Sequence, residues 1–253
     1  MNLNLKGKYI IVAGGLGGIG KQTVIDLKDE GAEVTILTQN KNKKKNISWD
    51  SDVEIVNYKS ESELTEKFDS LFKKNNPAGI ISFVGTGRSN NQPFQDNEDL
   101  IKMWDINYFS NRMIAKSFVN ATKKLSSNPN PNEYFITLTS TIAADLFINC
   151  PTEYSSSKSA LVRLCKDLSW KLSPTYRVNC IAPGNIYFKG GTWDLIKSEG
   201  KIDIDDLINN KVPSRRLGNP SDISKFAVFL SSPLASFING SCIKIDGGQS
   251  TNI

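Results

Sequence analysis

The chain has no histidine, so any proton transfer it performs falls to Tyr, Lys, Asp or Glu. That excludes a Ser-His-Asp triad, a Cys-His pair and an imidazole-ligated metal site, and no metal is expected. Within this restriction, Tyr154 and Lys158 in Glu153-Tyr154-Ser155-Ser156-Ser157-Lys158 are four apart in a segment that reads as helix. The spacing sets them on one face, about 6 Å apart along the axis. A phenol with its ordinary pKa of about 10 is a scarce base at neutral pH, and an adjacent ammonium favours the phenolate. So paired, Tyr154 is the natural acid/base of this chain. The same spacing also arises on helix faces that do no chemistry.

A second group of residues suits phosphate. In Ala13-Gly14-Gly15-Leu16-Gly17-Gly18-Ile19-Gly20, glycines at 14, 18 and 20 follow a strand-like run and precede a helix-like one. Missing Cβ atoms let a pyrophosphate approach the backbone, and a helix N-terminus presents free N–H groups to its charge. A plain tight turn is the competing account. The next strand ends in Thr38-Gln39-Asn40, without the carboxylate that would bond a ribose 2′-hydroxyl, and Lys41, Lys43, Lys44 and Lys45 follow. This leans towards NADP(H) over NAD(H), with Thr38, Asn40 and a lysine meeting a 2′-phosphate. A solvated lysine loop explains the same residues.

These residues need a scaffold. Apolar runs rich in Val and Ile recur at 9–14, 33–38, 53–58, 79–85, 134–140, 177–183 and 242–247. Helix-length stretches fall at 18–30, 61–75, 97–125, 152–172 and 220–231, with an irregular insert at 185–216 that has a helical stretch at 203–211. The strands are continuously apolar, which predicts a parallel sheet covered on both faces. The fold class is α/β: a Rossmann-type doubly wound sheet of seven strands in one domain over 1–253. With 253 residues, 39% hydrophobic and 23% charged, the chain can build one sizeable core. No window approaches about eighteen apolar residues and no cleavable leader precedes the first strand, so a cytoplasmic protein without a membrane span is expected. Thirty-one Lys+Arg against 26 Asp+Glu give +5, which does not demand nucleic acid. Cys150, Cys165, Cys180 and Cys242 lack CxxC spacing and read as buried free thiols.

Several motifs fall in a telling order: GxxxGxG at 14–20, Asn107 in Trp-Asp-Ile-Asn-Tyr, Ser140 ending Phe-Ile-Thr-Leu-Thr-Ser, and Tyr154-x-x-x-Lys158. Arg177-Val-Asn-Cys-Ile-Ala-Pro-Gly184 and Ile245-Asp-Gly-Gly248 follow. The set resembles the short-chain dehydrogenase/reductase family across essentially the whole chain, in its single-domain oxidoreductase branch. The resemblance implies an NAD(P)(H)-dependent enzyme moving a hydride between the nicotinamide and a small-molecule ketone or secondary alcohol. It implies Tyr154 as general acid in reduction and base in oxidation, and Lys158 lowering its pKa and holding the nicotinamide ribose. Ser140 would hydrogen-bond the substrate oxygen, and Asn107 would support a water passing protons to Lys158. It places Gly14, Leu16, Gly18, Ile19, Gly20, Thr38, Gln39, Asn40, Gly85, Asn107, Tyr154, Lys158, Pro183, Gly184 and Ile186 around the dinucleotide.

Three departures stand out. Ser82-Phe83-Val84-Gly85 replaces the family's Asn-Asn-Ala-Gly, and Asn57-Tyr58-Lys59 stands where an Asp commonly contacts adenine. Phe188 stands near the Thr that usually bonds the nicotinamide carboxamide, with Thr192 a few residues on as a substitute. The insert sits where the family places a mobile lid. Tyr187, Phe188 and Trp193 with a Gly190-Gly191 hinge suit closure over an apolar or ring-shaped substrate, or anchor an ordinary loop. Phe147, Ile148 and Cys150 would line the other wall. Phe109, Met113, Leu161 and Leu168, on helices through which relatives associate, predict a homotetramer. Competing readings are a dinucleotide-binding sensor or scaffold, which the Phe83 and Phe188 departures favour, and an epimerase or dehydratase using transient oxidation.

Overall fold

The computed structural model describes residues 1–40, 52–200 and 203–251; the lysines at 41 to 45 lie outside the described residues. The runs rich in β-branched residues form strands, because such side chains are stiff and pack well on a pleated surface. They are β1 (Tyr9–Ala13), β2 (Glu33–Thr38), β3 (Asp52–Ile55), β4 (Pro77–Ser82), β5 (Tyr134–Thr139), β6 (Tyr176–Pro183) and β7 (Cys242–Ile245). The helices are α1 (Gly18–Asp29), α2 (Glu61–Phe72), α3 (Asn97–Trp104), α4 (Ser110–Thr122), α5 (Thr152–Lys171), α6 (Thr192–Glu199), α7 (Ile204–Lys211) and α8 (Pro220–Ser231).

The strands pair in the order β3-β2-β1-β4-β5-β6-β7, and every ladder is parallel. This is the doubly wound Rossmann-type sheet that the apolar runs predict. On one face α2, α4 and α5 cover a core in which Phe118 meets Phe68, Phe72 and Tyr134 edge to face. On the other, α1 and α8 bring Val24, Leu27, Ile223 and Ala227 against Ile10, Val12 and Ile181. The strand order reverses between β1 and β4. A crevice therefore opens at their C-terminal ends, where the chain leaves the sheet to opposite faces.

Local signals set the helix starts. Ser60 Oγ accepts from the Glu63 amide at the head of α2. Asn219 and Asp222 form a capping box before α8, with Pro220 in its first turn. The stretch expected as one helix over 97–125 is divided by a π-helical turn over Asp105–Phe109. Ser110 Oγ donates to the Asp105 carbonyl five residues back (2.7 Å), and the widened turn carries a wholly buried Asn107. The insert is more regular than expected, since α6 precedes the anticipated helix α7.

Two expectations about surface and core change. Leu161 has no exposed area and belongs to the core, because the face of α5 that carries it lies on β5 and β6. It is therefore absent from the proposed association patch, where Phe109 is 51% exposed and Met113 and Leu168 are half-buried. Cys165 and Cys180 are buried, whereas Cys150 and Cys242 are half-buried. Among the described residues no helix is long and apolar enough to cross a membrane.

Arg177 on β6 ties the second core to the end of α8. It is buried, its guanidinium donates to the carbonyls of Leu230, Ser232 and Ala235 at 3.0 to 3.3 Å, and it sits 5.9 Å from the Phe135 ring centre. Burial lowers its pKa to about 10. Replacing it leaves buried acceptors without donors, at about 1–3 kcal/mol each before relaxation. Arg177→Met is expected to lose about 2 kcal/mol or more, read as a lower urea midpoint at unchanged slope.

Candidate active site

The glycine turn after β1 is built by close backbone approach. Gly14 has φ +74°, and a Cβ on it would lie 3.1 Å from the Phe83 carbonyl carbon. A Cβ on Gly20 would lie 2.4 Å from the Gly14 carbonyl oxygen, so only glycine lets α1 start this close to the strand. The Gly14 amide donates to the Leu37 carbonyl (3.0 Å) and to the Tyr58 hydroxyl (3.2 Å), and that hydroxyl itself donates to Leu37 (2.5 Å). Tyr58, in the segment where the family commonly has an Asp, thus props the turn from below, and burial pushes its phenol well up. Gly17 caps α1 without a side chain, so no side chain competes for the first-turn amides. The turn fits a dinucleotide pyrophosphate in its chemistry. Leu16 and Ile19 pack against the core beneath it.

At the end of β2 the polar groups serve one another. Thr38 Oγ1 accepts from the Asn40 amide (3.1 Å), and Gln39 Nε2 donates to Asn57 Oδ1 (3.2 Å).

Across the crevice, Lys158 is only 3% exposed and its ammonium donates to the Thr139 carbonyl (2.7 Å). Burial lowers its pKa to about 8. The chain after β4 runs directly over it: a Cβ on Gly85 would lie 2.7 Å from Lys158 Nζ and 2.9 Å from Asn107 Oδ1. Asn107 clamps the next peptide, accepting from the Thr86 amide and donating to the Thr86 carbonyl, both at 2.9 Å. Its side chain thereby fixes the backbone of the loop over Lys158. Asn111, four residues on, donates to the carbonyls of Val84 (3.0 Å) and Asn107 (2.8 Å) and accepts from Ser82 Oγ (2.7 Å). These bonds support the turn that Asn-Asn-Ala-Gly forms in the family. Asn111 went unread in the sequence, although an Asn one helical turn after Asn107 was a usable signal.

Tyr154 sits half-buried in the first turn of α5, under the chain at Gly87, where a Cβ would lie 3.4 Å from its ring. Burial holds the phenol above its usual range, and the neighbouring Thr141 hydroxyl opposes that rise. The lowering expected from Lys158 is not what governs Tyr154 here: desolvation dominates, and the ammonium is turned to Thr139. Ser140 also departs from expectation. Its hydroxyl donates to the Lys158 backbone carbonyl (3.0 Å), fastening α5 to β5. Neighbours on an extended chain face opposite ways, so one step along the sequence moves the hydroxyl beside Tyr154 from Ser140 to Thr141.

After β6, Pro183, Gly184 and Ile186 run beside the C-terminal segment, where Gln249 Oε1 accepts from the Asn185 amide (3.0 Å). Tyr187 donates to Asp194 (2.7 Å) and faces a cleft of about 360 Å³ with Lys197, Ile208 and Arg215, rather than Tyr154. Phe188 lies over the glycine turn, where a Cβ on Gly18 would fall 2.3 Å from its ring. Arg88 donates to the Gly190 carbonyl (2.7 Å), joining the insert to the loop after β4. Trp193 is half-buried, but Phe147 is 90% exposed and forms no closed wall, because its short loop turns it to solvent.

Comparison with known proteins agrees with this layout. A family model described as enoyl-(acyl carrier protein) reductase matches residues 14–250. A 7alpha-hydroxysteroid dehydrogenase of Escherichia coli is 30% identical, over 98% of this chain and 96% of its own. Two solved structures share the fold. A short-chain dehydrogenase of Leptospira borgpetersenii with bound NAD+ has TM-score 0.82 at 24% identity, covering 97% of this chain and 93% of that one. A gluconate 5-dehydrogenase of Burkholderia cenocepacia with NADP and tartrate has TM-score 0.85 at 17% identity, covering 100% and 98%. With the glycine turn, the Tyr154/Lys158 pair and a family match over most of its length, the chain belongs to the short-chain dehydrogenase/reductase family of oxidoreductases.

Proposed function

We propose that the protein interconverts a ketone and a secondary alcohol with an NAD(P)(H) cofactor, using Tyr154 as acid/base. The observation that carries this reading is the buried Lys158 ammonium, held on the Thr139 carbonyl one helical turn from Tyr154 at the mouth of the crevice. A dinucleotide, when held along the glycine turn, supplies or accepts the hydride. The chain's own groups manage the oxygen. Negative charge grows on the carbonyl oxygen during reduction, and Tyr154 and Thr141 are donors aimed from one side of the crevice at where it develops. A phenol kept protonated by burial is ready to give its proton, and the Lys158 charge stabilises the phenolate left behind. In the reverse direction that phenolate takes the alcohol proton. Thr141 thus takes the role the resemblance gave to Ser140, while Ser140, Asn107 and Gly85 position Lys158 and the loop over it.

The hydroxysteroid dehydrogenase relative and the aromatic insert support an apolar, ring-bearing substrate. The carboxylate-free end of β2 favours NADP(H). The insert 185–216 acts as the lid, and Phe188 must leave Gly18 for a pyrophosphate to reach the α1 amides. That same contact favours the second reading, a weakly catalytic dinucleotide sensor.

Steady-state reduction of a panel of cyclic ketones tests the roles. Tyr154→Phe is expected to lower kcat by about 10²–10⁴-fold, and Thr141→Val by about 10²-fold or more, with cofactor binding kept. Ser140→Ala is expected to change it only a few-fold, and a larger loss for Ser140 than for Thr141 would reverse the assignment. The pH profile follows from Lys158, whose pKa is lowered to about 8. It is charged below that value, so kcat for reduction should hold at lower pH and fall as pH rises through about 8, well before Tyr154 ionises. Phe188→Thr is expected to tighten NADPH binding by roughly tenfold in a fluorescence titration, by removing the closed form. NADPH should bind more tightly than NADH in both proteins.

A further inference from the structure

Behind Lys158 three thiols converge. Cys180 and Cys242 are register partners on the adjacent strands β6 and β7, and Cys165 of α5 packs in the same core face. Paired positions on neighbouring strands lie about 4.8 Å apart, inside the roughly 4.4–6.8 Å Cα separation that a disulfide spans. Both side chains lie on the same face of the sheet, in one core cluster. Cys180 is wholly buried and pairs with Leu138 of β5, next to Thr139, whose carbonyl holds the Lys158 ammonium, so the thiol lies within electrostatic reach of that charge. Cys242 is half-buried on the edge strand, two residues from Lys244, which pairs with Asp145 at 2.8 Å. Cys165 is engaged with the Val178 carbonyl (3.4 Å).

We propose that Cys180 and Cys242 form a reversible dithiol/disulfide modification site, closed by a peroxide and reopened by a thiol reductant, that governs turnover through Lys158. Cys242, half-buried on the outermost strand near the Lys244 cation, is the thiol a peroxide reaches, whereas burial pushes the Cys180 thiol up and keeps it protonated. Cys242 is thus the attacking thiolate and Cys180 the resolving thiol. The Cys242 sulfur attacks one peroxide oxygen, the O–O bond breaks, and the other oxygen leaves as water or an alcohol after taking a proton. Cys180 then attacks the Cys242 sulfenic acid. The S–S bond forms, the S–O bond breaks, and the hydroxyl leaves as water with the Cys180 proton. Two thiols are oxidised by two electrons, and one peroxide is reduced. Closure draws the Cys180 sulfur towards the sheet edge and strips Lys158 of its thiol neighbour. The effect on turnover rests on the carbonyl-reduction reading, whereas the bond does not.

Dilute reduced protein is treated with hydrogen peroxide, alkylated, digested and mapped by mass spectrometry, with turnover followed in parallel. The expected result is a Cys180–Cys242 linked peptide that dithiothreitol removes, with turnover falling several-fold and recovering in step. Cys242→Ser should give no linked peptide and keep its turnover after peroxide. Oxidation of Cys150 in the wild-type protein without a Cys180–Cys242 peptide overturns the site, as does a link from Cys165. A link that leaves turnover unchanged overturns its coupling to Lys158. If untreated protein reduces no carbonyl, the functional reading fails alone and the peptide map still decides the bond.

Discussion

Burying a lysine ammonium between the C-terminal end of an inner strand and the helix that carries it is costly, and the site is arranged around that cost. Lys158 is held by one carbonyl of β5, covered by the backbone at Gly85, and set in place by a helix whose own carbonyl is tied back to Ser140. Desolvation lowers its pKa to about 8, so the group stays mostly charged at neutral pH and loses its charge on mild alkalinisation. Any side chain at 85 would strike the ammonium, and a helix start shifted along α5 would pull it from Thr139. The glycine, the serine and the strand end serve that one charge.

The loop over the lysine shows how a departure from family sequence is absorbed. Asn-Asn-Ala-Gly is replaced by residues that cannot make the usual side-chain bonds, yet the path of the chain is kept by donors from the facing helix. Asn107 holds both backbone groups of Thr86, and Asn111 spans from Ser82 to Val84. The π-helical turn makes this possible, since an unbroken helix would present these two asparagines at a different angle. Fully satisfied buried polar groups of this kind rigidify a site.

The sheet was legible because continuous Val and Ile runs between Gly and polar breakers leave little freedom. Strand β2 falls at 33–38 as expected, and β6 differs by one residue. What failed to show depends on side-chain direction. Ser140 and Thr141 are both hydroxyl residues at a strand end, and only the pleat, which the sequence does not print, says which one faces Tyr154. Leu161 and Phe109 read alike as apolar helix residues, but one meets the sheet and the other solvent. The sign of the Tyr154 shift was missed for a similar reason. Spacing reports the neighbouring charge, whereas burial, the larger effect, emerges only once the loop after β4 is folded over the helix.

Phe188 follows from the same physics on the cofactor side. A threonine there would offer a hydroxyl to a bound dinucleotide; an aromatic ring offers none and instead covers apolar surface on the glycine turn. An uncharged ring over a helix N-terminus gains nothing from the partial positive charge there, whereas a pyrophosphate gains strongly. The two occupants therefore compete for one place with unequal electrostatics and unequal apolar burial. Displacing the ring also bears on the strap held by Arg88 at Gly190, which connects the insert to the loop covering Lys158. Phe188, Gly190 and Gly85 thus stand along one line of contacts, from the glycine turn through the Arg88 bond to the chain over Lys158.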